Sequence, residues 1–311
     1  MEQNTPQVFQ PSPPAGKPPV VDKQIIGKRR SLLSIMIAKF FQNKLALFGL
    51  IILSIITLGC IFAPLLSPHD PDFQDLYNRL APPSADYWLG TDNLGRDLFS
   101  RMLHGGQVSL YVGFASMVGA VIIGATVGAL AGFFGGIIDS FLMRIVDIII
   151  SFPNIFLLIT LVTILSPSAN TLIMVFALLS WTSTARIVRG EFLSLKSREY
   201  VLAARTIGMS NFRVIFSQIL PNAAGPIIVA ATLAVGSFIL AEAALSFFGL
   251  GVQPPQASWG NMLTDSRSVT IFRTAWWYPT FPGLLILFTV LSFNFIGDGL
   301  RDALDPRVVE K

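Results

Sequence analysis

Between Asp147 and Arg186 the chain runs for about 38 residues without a charged side chain. A membrane-spanning helix needs about 20 mostly apolar residues, so this stretch is too long for one span. The segment "SPSAN" at 166–170 supplies a turn that divides it in two. The second half is apolar from about Thr171 to Ala185 and extends to Val188 or beyond, with Arg186 at the interface. Residues 45–66, 108–134, 214–241 (beginning properly after Pro221) and 274–297 have the same apolar character. Six spans are predicted, and the fold class is an all-α membrane protein.

The charge content agrees. Only 13% of the residues are charged and the mean hydropathy is +0.64, whereas soluble globular chains carry about 25% charged residues. A soluble enzyme is excluded on these grounds. The single cysteine, Cys60, lies inside an apolar run, so no disulfide or cysteine metal site can form within the chain.

Positively charged loops stay cytoplasmic. With the N-terminus inside, 17 of the 22 Lys and Arg residues fall on the inner side. Only Arg79, Arg96, Arg101, Arg267 and Arg273 fall outside. Both termini are therefore expected in the cytoplasm of a multi-pass plasma-membrane protein. Residues 1–30 read as a disordered Pro-rich tail, not a secretory signal peptide. Residues 31–66 form an N-terminal segment with the first span, and 67–107 an extracytoplasmic loop. A core of five further spans occupies 108–302, and 303–311 is a cytoplasmic tail.

Between the fourth and fifth spans lies a segment of different character, "SREYVLAARTIGMSNFRVIFSQILPN" at 197–222. It carries Arg198, Glu199, Arg205 and Arg213. A helix over 197–207 is expected, stopped by Gly208, which tolerates a left-handed cap. Ala203 and Ala204 keep one face thin, Tyr200, Val201 and Leu202 offer apolar contact, and Arg198 and Arg205 can pair with acidic groups of a partner. On residue types alone, an amphipathic helix lying in the lipid headgroups fits as well.

Glu242 is the one acidic residue expected within a span. It lies about 20 residues beyond Pro221, roughly 30 Å along the helix, near the outer interface. It is either an interfacial carboxylate with a local partner or a member of an outer gate or solute path. Gly124, Gly128 and Gly132 share a helical face, for close packing of spans or for lining a path.

A phosphate-binding GxxxxGK[ST] loop, a GxSxG elbow and an HExxH site are all absent from the sequence. "HGGQ" at 104–107 reads as a turn entering the second span. The charge-free spans argue against an ion-coupled pump, so the energy is expected from another subunit.

The stretch "AARTIGMSNFRVIFSQILP" resembles the EAA loop of importer-type ABC permeases. Ala203, Ala204, Gly208, Leu220 and Pro221 occupy the matching positions. The family's Glu falls at Leu202, so either Glu199, one turn earlier, supplies a similar contact or the contact is apolar. "YWLGTDNLGRDLFSRMLHGGQVSL" (87–110), "GFFGGIIDSFLMRIVDIIISFPNIFLL" (132–158), "EAALSFFGLGVQPPQASWGNML" (242–263) and "WWYPTFPGLLILFTVLSFNFIGDGLRDALDPR" (276–307) resemble the dipeptide/oligopeptide/nickel branch. They are most similar to its C-type subunit.

The resemblance implies half of a translocation pathway for di- or oligopeptides, with a nickel chelate or other small solute as the alternative. It implies a B-type permease partner and an extracytoplasmic solute-binding protein docking on 67–107 and 248–279. Two ATP-binding subunits would use ATP and Mg, with no cofactor bound by this chain. The coupling helix would carry Arg198, Glu199, Tyr200, Leu202, Ala203, Ala204, Arg205 and Gly208, with Pro221 closing the motif. Membrane lipid is the surrounding partner, and nucleic acid is not one.

Overall fold

The computed structural model describes residues 32–304. The Pro-rich tail at 1–30 and nearly all of the C-terminal tail lie outside the described residues. The elements are α1 (Leu32–Gln42), α2 (Lys44–Ile61), α3 (Leu98–Phe134), α4 (Gly136–Ser151), α5 (Asn154–Leu165), α6 (Ala169–Leu195), α7 (Glu199–Thr206), α8 (Asn211–Phe247) and α9 (Trp277–Leu304). Among the described residues there is no strand, only an isolated bridge between Thr91 and Asp97.

Five helices, α2, α3, α6, α8 and α9, are each long and apolar enough to cross a membrane, and α4 with α5 makes a sixth crossing if the bent pair is one span. The bend is 85° and falls at Phe152–Pro153. Proline has no N–H and disfavours helical geometry at the residue before it. Phe152 accordingly adopts an extended conformation. The sequence reading placed the turn at 166–170 correctly but ran the third span straight through this break.

Local signals explain the helix ends. The Asn43 side chain accepts from Leu45 N and Ala46 N, both at 3.1 Å, opening α2. Asp97 accepts from Ser100 N at 2.9 Å and opens α3 at Leu98, whereas the apolar run begins only at Val108. Residues 98–107, read as loop, are thus the first turns of α3. Their charge is neutralised by loop residues: Arg101, 4% exposed, bonds Asp72 at 3.1 Å and the Pro71 carbonyl at 2.9 Å. "HGGQ" is helical, not a turn. A side chain at Gly106 would collide with Cys60 and Trp259, and one at Gly105 would crowd the Ser258 backbone, so the glycines let the chain around Trp259 lie against α3.

Helix α8 begins at Asn211, earlier than Pro221. A π-helical stretch, Val214–Ile219, precedes the proline, and Leu220 N reaches back to Ile215 O. The widened turn accommodates a residue without a donor and with a bulky ring. Helix α9 continues past Gly297 to Leu304, where Asn43 Nδ2 bonds Asp302 Oδ2 at 3.2 Å.

Helix α3 packs most extensively on α6 and also on α8, while α9 packs on α2 and α8. A Cβ at Gly124 would lie 2.6 Å from Thr184 Cβ, and one at Gly132 2.6 Å from Phe192 Cβ. With Gly128 between them against Ala185 and Val188, the small-residue face of α3 is occupied by α6. Of the two roles open for these glycines, the fold uses them for packing, the arrangement that lets membrane helices approach closely.

Candidate coupling site

Helix α7 sits at one end of the bundle, between the close of α6 and the start of α8. Its C-terminus is held by two backbone bonds: Gly208 N donates to Arg205 O at 3.0 Å and Met209 N to Ala204 O at 3.1 Å. This pairing is the Schellman arrangement, and Gly208 takes the left-handed conformation it needs, at φ +81°. The helix is one to two residues shorter at each end than the sequence predicts.

The burial pattern divides α7 into two faces. Val201 points inward, into a cluster with Phe192, Val214 and Ile219, and Ala204 is buried on the same face. Glu199, Tyr200, Leu202 and Ala203 point outward, Leu202 being half exposed. One expectation is corrected here: Val201 and Ala204 are buried against the bundle and closed to a partner. Arg205 is exposed, with its guanidinium over the Phe133 ring, 4.6 Å from the centroid, a cation–π contact.

Arg198 stands before the first turn, exposed and without a side-chain capping bond. It lines an open cleft of about 760 Å³ with Glu199, Tyr200, Ser197 and Asn222. Pro221 lies outside α7, exposed on α8. Lys196 fixes the base of the unit by donating to Gly132 O at the end of α3, at 2.9 Å. The sequence reading missed Ile207, Phe212 and Phe216, all strongly exposed and continuous with α7. Their signal was present as three large apolar residues in a segment otherwise read for its charge.

Glu242 is placed at the opposite end and is fully buried. Ser109 Oγ donates to its Oε2 at 3.0 Å and Ser246 Oγ to its Oε1 at 2.7 Å. The same serines accept from Trp259 N and Val252 N, each at 3.1 Å. The carboxyl is thereby joined to α3, to its own helix and to the segment after α8. It meets local partners and reaches no open surface of this chain.

Beside this network, a polar cavity of about 270 Å³ is lined by Asp92, Arg96, Arg101, Asp265 and Tyr278 among others. Arg96 Nε bonds Asp92 at 2.6 Å and Tyr278 donates to Asp265 at 3.0 Å. The first pair lies within the segment before α3, and the second joins the segment before α9 to that helix's first turn.

The family model described as "Binding-protein-dependent transport system inner membrane component" matches residues 124–310. That is more than half of the chain, and it includes α7 and the buried glutamate. The chain belongs to this family of transport permeases. A second model, the N-terminal TM domain of oligopeptide transport permease C, matches residues 31–83 of the permease.

Curated relatives agree. The permease is 48% identical to the dipeptide transport system permease protein DppC of Alkalihalophilus pseudofirmus, over 86% of this chain and 87% of that protein. It is 43% identical to the oligopeptide transport system permease protein OppC of Bacillus subtilis, over 92% of this chain and 93% of that protein. Among solved structures, an inward-facing MetNI methionine ABC transporter chain matches with a TM-score of 0.55 at 21% identity. That match covers 66% of the permease and 96% of the other chain, and it shows the importer-permease fold. The permease is a multi-pass membrane transport component, not an enzyme.

Proposed function

We propose that this permease is the C-type membrane subunit of a bacterial ABC importer and carries half of the pathway for di- and oligopeptides. The observation that carries this reading is α7: a capped, inward-anchored helix at a bundle end, with Tyr200, Leu202 and Ala203 left free. In a chain related to dipeptide and oligopeptide permeases at 43–48% identity, that face suits the groove of an ATP-binding subunit. The positive-inside rule places it, with both termini, in the cytoplasm.

Two ATP-binding subunits would supply the energy from ATP and Mg, and a B-type permease would complete the pathway. A solute-binding protein would dock on the opposite end, where the Glu242 network and the Asp92–Arg96–Arg101 cluster make the loops rigid. Leu202, standing where the family pattern has Glu, makes the central contact apolar, with Glu199 at its edge. Alternating access is then a rigid movement of bundles, driven through α7.

The four-subunit assembly, reconstituted with its binding protein in liposomes, tests this. ATP-dependent accumulation of trialanine is expected. ATP-dependent uptake of a nickel chelate in place of trialanine would replace the solute, and transport without any ATPase subunit would overturn the reading.

A further inference from the structure

The loop between α2 and α3 carries an apolar knob that no described part of the chain covers. Phe73 is 62% exposed, Leu76 61% and Tyr77 102%. Exposed apolar residues scattered singly are ordinary, but a group of them marks an interaction surface. The knob is held firmly. The Asp75 carboxylate accepts from Tyr77 N at 3.1 Å and from Asn78 Nδ2 at 2.7 Å, closing the turn that presents Leu76 and Tyr77. Arg79 Nε donates to Asn93 O at 2.7 Å and Leu80 N to Asp92 O at 3.0 Å, so the turn is fastened to the segment before α3. Gly95, at φ +75°, lies so close to the Asp75 carbonyl that a Cβ there would overlap it.

This knob stands outside the hydrocarbon layer. Asp72 is bonded to Arg101, which precedes the apolar run of α3 at Val108 by about 10 Å at 1.5 Å per residue. Asp75 packs on Gly95, ahead of the first turn of that helix. The charge agrees. Residues 67–90 hold Asp70, Asp72, Asp75 and Asp86 against Arg79 alone, and no lysine, whereas surfaces that lie on phospholipid are rich in Lys and Arg. Apolar side chains fixed in water among carboxylates suit a protein partner.

The kind of partner follows from the proportions. Obligate interfaces resemble a domain core cut in half, whereas transient ones set a few aromatic anchors in a polar rim. Here three apolar side chains share their loop with the exposed carboxylates of Asp70, Asp72 and Asp86. A permease partner stays bound through the cycle, but a solute-binding protein docks and leaves. We infer that Phe73, Leu76 and Tyr77 anchor the solute-binding protein, seated in an apolar depression of that protein rimmed by Lys or Arg. Tyr77 is the centre of the anchor, because its whole side chain is clear of this chain and available for burial. This assignment rests on the importer reading above.

The test presents the binding protein, loaded with trialanine, to the complete transporter in nanodiscs. Tyr77→Ala is expected to weaken binding about tenfold or more, as loss of an anchor residue does, and Tyr77→Phe to keep it within about threefold. Raised salt should slow association of the wild type, because the carboxylates steer the basic rim. Cys60 is 2% exposed and the chain has no other cysteine, so Tyr77→Cys can carry an environment-sensitive label when the other subunits lack reactive thiols. That label should respond to the binding protein and not to brominated lipid.

Unchanged affinity in Tyr77→Ala overturns the proposal, and association that salt leaves unchanged overturns the basic rim. Quenching of the label by brominated lipid would put the knob in the membrane. Loss of the B-type permease from a folded Tyr77→Ala subunit would give the knob to the permease pair. Either result overturns the assignment. Wild-type behaviour separates the failures. Trialanine uptake with unchanged binding by Tyr77→Ala removes the anchor alone, whereas a wild type that neither binds the protein nor takes up trialanine removes the importer reading as well. Phe73→Ala, expected to weaken binding in the same direction, takes over if Tyr77→Ala does not fold.

Discussion

Ser109 on α3 and Glu242 on α8 meet through a 3.0 Å hydrogen bond across 133 positions of sequence. The direction is fixed by the neighbours. Ser109 Oγ already accepts from Trp259 N, and Ser246 Oγ from Val252 N, so each hydroxyl proton is free for the carboxyl. Two backbone N–H groups of the segment after α8 thus reach Glu242 through serine relays, which bind that segment to the bundle end.

Replacing Glu242 tests the relay. Glu242→Leu leaves two hydroxyls facing a side chain that cannot accept, and orphaned buried polar groups cost about 1–3 kcal/mol each. Glu242→Gln keeps one acceptor oxygen. Thermal unfolding of the detergent-solubilised subunit is expected to rank wild type above Gln above Leu. Proteolysis within 250–264 should rise in the same order. Equal midpoints for all three proteins would remove the role assigned to the relay.

Adjacent alanines on α7 should fail in opposite ways. Ala203 is exposed, whereas Ala204 is only 7% exposed. Ala203→Arg is expected to leave the thermal midpoint within about 0.5 kcal/mol equivalent, as for ordinary surface changes, while lowering transport-coupled ATP hydrolysis at least tenfold. Ala204→Arg forces a charge into the α7 seat and should lower the midpoint and the yield of assembled complex. Unchanged coupled hydrolysis in Ala203→Arg would show that the outward face meets no ATPase.

Gly208 gives a purely conformational test. At φ +81° a side chain is strained, by about 1–2 kcal/mol for an ordinary L-residue, although no neighbouring atom lies within 4 Å of an added Cβ. Asparagine visits this region more readily than a β-branched residue does. Gly208→Asn should therefore retain most uptake, Gly208→Val should lose much of it, and hydrogen exchange at 199–209 should rise with the loss.

How far this was legible in the sequence depended on the range of each interaction. The cap at Gly208 is local, as is the turn at 166–170, and both can be read directly. The start of α3 cannot be, because Arg101 looks like a loop residue until Asp72 and Asp92 arrive to neutralise it. "HGGQ" looked like a turn for the same reason: its glycines serve Ser258 and Trp259, about 150 residues away in sequence. The two faces of α7 were mixed because short helices are seated by tertiary contacts, here with Phe192 and Val214. The Phe152–Pro153 break was visible as a proline, but the unbroken apolar run around it concealed its consequence, an 85° bend between α4 and α5.

The α3–α6 interface offers the strictest packing test. Gly128 faces Ala185 and Val188, and an added Cβ would lie 2.8 Å from Val188 Cβ and closer still to the Ala185 carbonyl. That carbonyl is helix backbone and cannot give way as a flexible side chain can. Gly128→Leu therefore has to separate α3 from α6, with overpacking costs of about 1–3 kcal/mol or more. Gly190, on the same α6 helix, has nothing within 4 Å of its Cβ position, so Gly190→Leu is the matched control. The first variant is expected to lose folded yield and thermal stability and the second to keep both. If Gly128→Leu were as stable as Gly190→Leu, the helices would not be in close contact along this face, and the pairing that positions α7 would have to be redrawn.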